Sequence, residues 1–263
     1  MKIYSVSLKS IIFYSIFILC AVVLVRYGGS SIAEVYNDSA EERRLPIYCV
    51  DRGEEKICSL SFDAAWDDAD TDKLIEILDK GNVKTTFFVV GSWVTKYPES
   101  VKKFFDNGHE IMNHSDTHPH INQLSDGKLE EEIKACDDKI EALTGKRPQL
   151  FRGPYGEYNN NVIAVAEKLG HKVIQWNVDS LDWKDLSADD IYSRVMKRVS
   201  PGSIMLFHNG AKNTPEALER VISALTADGY KIVPVSELIY NDSFTIDRSG
   251  RQLPVREDSG ESE

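Results

Sequence analysis

KICSLSFDAAWDDADTDKLIEILDKGNVKTTFFVV, residues 56–90, reads as a strand, a helix and a second strand. Residues 56–62 and 85–90 are apolar runs of strand length, and between them the period changes. Leu74, Ile77 and Leu78 share one face of a helix that stops before Gly81. Two strands joined by such a crossover lie parallel. Outward from this unit the alternation continues, with strands predicted over residues 110–113, 149–152, 172–178, 203–207 and 231–235, each followed by a helix or a loop leading into one. Pro98 opens a helix that ends near Gly108. Ser125 and Ser187 are placed as N-caps, the second with Asp190 three residues on, and Thr214-Pro215 starts the last helix. The pattern predicts an α/β fold of seven parallel strands with crossover helices, closed or nearly closed into a barrel.

The 263 residues carry a formal net charge of −11. That argues against a nucleic-acid partner, which needs a basic face, and suits a neutral glycan well. One long apolar run, residues 10–25, lies between Lys9 and Arg26. A membrane-spanning helix needs about 20 apolar residues and a signal-peptide core roughly 7–15. Residues 1–26 therefore read either as a signal anchor or as a signal peptide, with Ser31 and Ala33 as small residues for a cleavage site. Lys2 and Lys9 keep the N-terminus in the cytoplasm and place the rest outside, membrane-anchored or secreted. Residues 27–44 read as a polar linker, 45–240 as the folded domain and 241–263 as an acidic tail. Residues 248–263 are expected to be disordered, having too little apolar surface to offset the entropy of ordering.

Of the four cysteines, Cys20 lies in the apolar run. Outside the membrane disulfides are permitted. A two-residue hairpin loop at Gly53-Glu54 would set Cys49 opposite Cys58 in a non-hydrogen-bonded pair, where the Cα atoms approach to about 4.5 Å. Two half-buried free thiols satisfy the same sequence.

Reactive side chains collect at the C-terminal ends of the predicted strands. Asp63 follows the first, His114 the third, Asp179 and Asp182 the fifth and His208 the sixth, while Arg152 ends the fourth. In a βα barrel those ends surround one mouth, where such barrels carry their active sites. His114 and His118 are four apart and can reach one metal ion, although a pair that only hydrogen-bonds fits the spacing too. Imidazole suits zinc, cobalt or nickel. Arg152 can hold Asp63 ionised; a turn cap and an exposed ion pair are the plain alternatives. His208 becomes a poised acid if a carboxylate such as Asp182 faces it, and a core histidine if none does.

Taken in order, Leu60-Ser61-Phe62-Asp63-Ala64-Ala65-Trp66, Asn113-His114-Ser115-Asp116-Thr117-His118, Phe151-Arg152-Gly153-Pro154-Tyr155-Gly156, Asp179-Ser180-Leu181-Asp182-Trp183 and Leu206-Phe207-His208 resemble the five motifs of the NodB-homology polysaccharide deacetylases, the family-four carbohydrate esterases. The resemblance covers roughly residues 45–240, and its first motif looks closest to members from spore-forming Gram-positive bacteria. It implies a distorted (β/α)7 barrel, a monomer, and metal-dependent hydrolytic N-deacetylation of a peptidoglycan-type cell-wall polysaccharide, with a place in sporulation. It implies His114 and His118 as ligands of a divalent metal, zinc first, with cobalt or nickel as alternatives. Asp63, positioned by Arg152, would be the general base, and His208, oriented by Asp182, the acid that protonates the departing amine. The backbone N–H of Tyr155 would stabilise the oxyanion, and Trp183 would wall the acetyl pocket unless it is plain core.

One position departs from the family pattern. The second Asp of the first motif, which completes the metal triad, is Ala64 here. Asp67, Asp68 or a water takes its place, or the metal is weakly held. A catalytically weak or silent glycan-binding envelope protein on the same barrel is therefore the competing reading. A phosphoesterase would need a larger carboxylate cluster or a phosphate cradle, and no P-loop-like run is present.

Overall fold

The computed structural model describes residues 42–255. In chain order the strands are β1 (Cys49–Val50), β2 (Ile57–Ala64), β3 (Thr86–Val89), β4 (Glu110–Asn113), β5 (Leu150–Phe151), β6 (Lys172–Val173), β7 (Val178–Asp179), β8 (Ile204–His208), β9 (Lys231–Ile232), β10 (Phe244–Ile246) and β11 (Arg251–Pro254). The helices are α1 (Thr71–Lys80), α2 (Gly91–Lys96), α3 (Pro98–Asp106), α4 (Asp126–Thr144), α5 (Asn160–Lys168), α6 (Ala188–Met196), α7 (Thr214–Ala227) and α8 (Val235–Leu238). An eight-stranded parallel sheet runs β6-β5-β4-β3-β2-β8-β7, with β9 paired to β2.

β2 shows why this sheet curls. All eight of its residues are buried, as a strand covered on both faces requires. Its period of two divides them: Cys58, Leu60, Phe62 and Ala64 pack in the large apolar layer shared with the helices, while Ile57 joins Phe88, Leu150, Ile174, Ile204 and Val233 in the interior cluster. Ser59, Ser61 and Asp63 share the Ile57 face, so the interior becomes polar towards the C-terminal end of the strand. Ser59 Oγ donates to the Val233 carbonyl at 2.7 Å, and Ser61 Oγ to that of Met205 at 2.8 Å. Helix α1 buries Leu74, Ile77 and Leu78 and ends at Gly81. Ser187 caps α6 by accepting from the Asp190 N–H at 3.1 Å. Ser125 occupies the N-cap position of α4 without a side-chain capping bond.

The sheet is a curled parallel half-barrel with helices, more open than the expected distorted (β/α)7 barrel, and the difference lies in residues 172–178. They form two short strands at opposite edges: β6 pairs with β5, and β7 with β8. Between them the chain crosses from one edge to the other, its backbone groups taken by partners outside the ladder. Gln175 N–H donates to the Ile47 carbonyl at 2.8 Å, the Gln175 carbonyl accepts from Arg152, and Asn177 N–H donates to the Ile204 carbonyl at 3.2 Å while its side-chain Oδ1 accepts the Ile204 N–H at 3.0 Å. The seam is stitched by the segment leading into β1, since Ile47 bridges to Ile174 and Cys49 to Ser203.

Up to residue 255 the expected tail is ordered, and residues 256–263 lie outside the described residues. β10 and β11 pair antiparallel, and β11 adds β1 in parallel to make a three-stranded sheet. Few apolar residues are involved; Gln252, fully buried, exchanges side-chain hydrogen bonds with the Tyr240 N–H and carbonyl at 2.8 and 2.7 Å. Backbone pairing orders a segment whose composition reads as solvated. The Cys49–Cys58 hairpin does not form either. The turn is present, with Glu55 N–H on the Arg52 carbonyl at 3.0 Å, but β1 pairs with β11 and not β2. Cys49, Cys58 and Cys136 are buried free thiols, and burial pushes Cys58 up to about 12.

Gly202 marks how closely β1 approaches β8. Its φ is +78°, it accepts the Val50 N–H, and an added Cβ would lie 1.8 Å from the Val50 carbonyl oxygen. Gly202→Ala is expected to lower the unfolding free energy by about 3 kcal/mol or more, read from urea denaturation; an unchanged midpoint would mean β1 can retreat freely. The apolar run at 10–25, Cys20 and nearly all of the 27–44 linker lie outside the described residues. Among the described residues no helix is long and apolar enough to cross a membrane.

Candidate active site

The curled sheet brings the strand ends into one mouth. A cavity of about 490 Å³ is lined by Asp63, His114, His118, Tyr155, Trp183 and His208, together with Trp66, Trp176 and Asp179. Of the seven non-glycine residues with positive φ among the described ones, Ser115, His118, Tyr155 and Leu181 belong to the loops around it. Strained backbone therefore concentrates at this mouth, as is common where side chains must be aimed against local preference.

Asp63 sits at the end of β2 on the interior face. Arg152, fully buried just after β5, donates from Nη1 to Asp63 Oδ1 at 2.7 Å and from Nη2 to Ser61 Oγ at 2.9 Å. Its guanidinium lies over the Phe88 ring at 4.0 Å. Burial raises the Asp63 carboxyl, but Arg152, then His114 and His208, outweigh it and hold the group below its ordinary value. The result is a desolvated, ionised carboxylate.

His114 follows β4. Its Nδ1 lies 2.7 Å from the Arg152 carbonyl oxygen; a carbonyl only accepts, so Nδ1 carries the proton and Nε2 keeps its lone pair. That Nε2 is 3.5 Å from Asp63 Oδ2. The His118 ring packs edge-on to His114 with centroids 5.0 Å apart. Burial lowers both imidazoles, His118 to about 4. Two neutral imidazoles side by side, one with its tautomer set by a backbone carbonyl, have the chemistry of a metal-binding pair. The third donor is another matter: Ala64 is fully buried in the apolar layer. Asp68 Oδ2 is taken by Ser100 Oγ at 2.7 Å, and Asp67 Oδ1 by the Ala69 N–H at 3.1 Å. Among the described residues no three His, Cys, Asp or Glu side chains form a metal-binding group.

His208 ends β8 directly beside Asp63, the two being paired across the β2–β8 ladder. Its Nδ1 is 2.8 Å from Asp182 Oδ1, and its backbone N–H donates to Asp182 Oδ2 at 2.8 Å. Thr214 Oγ1 also donates to that oxygen, at 2.6 Å. Burial lowers the imidazole, but Asp182 more than compensates, leaving His208 above the ordinary histidine value. A core histidine without an acidic partner is thereby ruled out. Tyr155 sits in the turn after β5 with φ +57° and 62 % of its surface exposed, and Trp183 is 48 % exposed, so it is not plain core. The arrangement sets an ionised carboxylate and a protonatable imidazole side by side, which suits proton transfer in both directions.

The motifs did not disclose a buried network behind the histidine loop. Asn113 Nδ2 donates to Asp137 Oδ1 at 2.8 Å, and His171 Nε2 is 2.9 Å from Asp137 Oδ2. Asn113 Oδ1 in turn accepts the Ser115 N–H at 2.7 Å, and Ser115 Oγ the His118 N–H at 3.1 Å. The available signal was an Asp and a His at otherwise apolar-facing positions of α4 and of the start of β6. Asp137→Ala is expected to lower stability by about 3 kcal/mol through the donors it strands, and zinc affinity by about ten-fold or more through the loosened loop. Denaturation and zinc titration read the two effects separately; unaltered zinc affinity would show that the loop holds itself.

A sequence model of the polysaccharide deacetylase family matches residues 51–174. The peptidoglycan-N-acetylglucosamine deacetylase of Bacillus cereus is 32% identical over 184 residues, 68% of this chain and 67% of that protein. The peptidoglycan-N-acetylmuramic acid deacetylase PdaA of Bacillus subtilis is 30% identical over 196 residues, 73% of this chain and 74% of that protein. Among solved structures, a family-four carbohydrate esterase pseudoenzyme from Bacillus anthracis is 34% identical with a TM-score of 0.71, over 73% of this chain and 68% of that one. A mutant of that pseudoenzyme is described as having restored enzymatic activity. The chain belongs to the polysaccharide deacetylase family, the family-four carbohydrate esterases.

Proposed function

We propose that the protein is a metal-dependent N-deacetylase of peptidoglycan-type glycan, acting outside the cytoplasmic membrane. The observation that carries this reading is the pairing of Asp63 with His208 across neighbouring strands, each held by its own buried partner, Arg152 and Asp182. A silent scaffold has no need of two such pairs in one cavity.

His114 and His118 would hold the divalent metal, zinc or else cobalt or nickel, which when bound polarises the acetamide carbonyl and acidifies water. Asp63, kept ionised by Arg152, accepts a proton from the water that attacks the acetamide carbon. Tyr155 N–H supports the developing oxyanion. His208, protonated and oriented by Asp182, gives its proton to the amide nitrogen as the C–N bond breaks, leaving acetate and a free amine on the sugar. Trp183 walls the acetyl group.

Ala64 favours a second reading, a weak or silent glycan-binding protein, and a pseudoenzyme is among the structural neighbours. Acetate release from peptidoglycan and chitooligosaccharides, with and without added zinc or cobalt, separates the two. Release that depends on added metal is expected; none at saturating zinc or cobalt would overturn the enzymatic reading.

A further inference from the structure

Trp66 is used by none of the chemistry above. It lies in the loop after β2, lines the catalytic cavity and leaves 49 % of its surface exposed. Its indole is stacked on the His208 imidazole, with centroids 5.2 Å apart and planes 16° from parallel. The stack is held from behind. The carbonyl of the next residue, Asp67, accepts from Trp93 Nε1 at 3.2 Å and from Asn209 Nδ2 at 2.6 Å, and Asn209 directly follows His208. Gly210 N–H then donates to Asp70 Oδ2 at 2.8 Å. The loop carrying the indole and the loop carrying the imidazole are thus bonded to each other immediately beyond the two rings.

A rigid aromatic with one face packed and about half its surface open is preorganised to receive a flat apolar surface at little entropic cost. The C–H face of a pyranose ring is such a surface. Tyr155, 62 % exposed, and Trp183, 48 % exposed, line the same cavity, so three of the four exposed large apolar residues among the described ones gather at this mouth. Resting on the deacetylase reading, we propose that Trp66 is a stacking platform for a sugar ring adjoining the one that is deacetylated. The affinity gained from a second linked sugar is then carried by Trp66.

The test uses the full chain and β-1,4-linked N-acetylglucosamine oligomers of one to four units, with binding followed by calorimetry without added metal, so that no turnover is required. Wild-type affinity should rise with oligomer length. Trp66→Ala should bind the tetramer about ten-fold or more weakly, Trp66→Phe should recover most of the loss, and the monomer should be insensitive to both changes. In the acetate assay with zinc, Trp66→Ala should raise KM for the tetramer far more than it lowers kcat. Equal tetramer affinity in wild type and Trp66→Ala would remove the platform and leave the deacetylase reading standing. A wild type that turns over glycan yet gains no affinity from monomer to tetramer would remove the oligomer preference. A wild type that neither binds nor deacetylates any oligomer would overturn both.

Discussion

Asp63→Asn will lower acetate release by about 10²–10⁴-fold and the unfolding free energy by about 3–5 kcal/mol. The first effect is loss of the proton acceptor beside His208. The second arises because Arg152 is fully buried and Asp63 is its only carboxylate partner among the described residues. Asparagine keeps an oxygen for the Nη1 hydrogen bond but not the charge, so a guanidinium remains desolvated and uncompensated. The two losses come apart in Asp63→Asn combined with Arg152→Met. An apolar side chain over Phe88 should return much of the stability, the remainder being the Gln175 carbonyl left without its donor, and activity should stay lost. His208→Ala should match the loss of activity with a smaller loss of stability, because the Asp182 carboxylate it leaves behind keeps Thr214 and the backbone N–H of residue 208. Undiminished turnover in Asp63→Asn would end the proposed mechanism, whatever its stability.

Ala64→Asp is the second large effect, and its sign depends on metal. Without metal the variant should be less stable than wild type by about 2 kcal/mol or more, because a carboxylate enters a fully buried apolar position. With zinc the order should narrow or reverse. A third, anionic donor beside His114 and His118 should tighten zinc roughly ten-fold or more, and a ligand at 100 times its Kd adds about 2.7 kcal/mol to the folded state. Ala64 is the last residue of β2, where the ladder ends and a side chain can turn to the rim. Thermal unfolding with and without zinc gives the stability change, calorimetry the affinity, and acetate release at low zinc should rise in parallel. Zinc binding no tighter than wild type would show that residue 64 cannot reach the imidazole pair.

Asp63, Arg152, Asp182 and His208 were legible because strand ends in a βα fold converge whatever the helices between them do. Each of these residues lies at the end of a predicted strand or in the loop just beyond it. What was illegible is what depends on partners far along the chain. Residues 172–178 have the composition of one strand, and nothing local says that Ile174 pairs with Ile47 while Val178 pairs with Met205. Gln252 reads as a solvated tail residue until Tyr240 is seen to complete both of its amide hydrogen bonds. Cys49 and Cys58 flank a genuine turn, yet the strands beyond it diverge because β1 pairs with β11, some 200 residues later, and not with β2. Asp137 stands on the apolar face of α4 and His171 just before β6, but nothing local says that the two are partners; they become a buried pair only through the packing of α4 against the sheet edge.

The segment around Ile47 and Cys49 touches the half-barrel on both sides of its gap, just beyond β6 through Ile174 and at the foot of β8 through Ser203. It therefore acts as a clasp. A chain shortened to begin at Ile57 would keep every strand of the eight-stranded sheet and still lose the piece that sets the distance between its two rims. The floor of the cavity would then be bounded on that side only by the four-residue crossing from β6 to β7, free to spread by rotation where the intact chain is fastened.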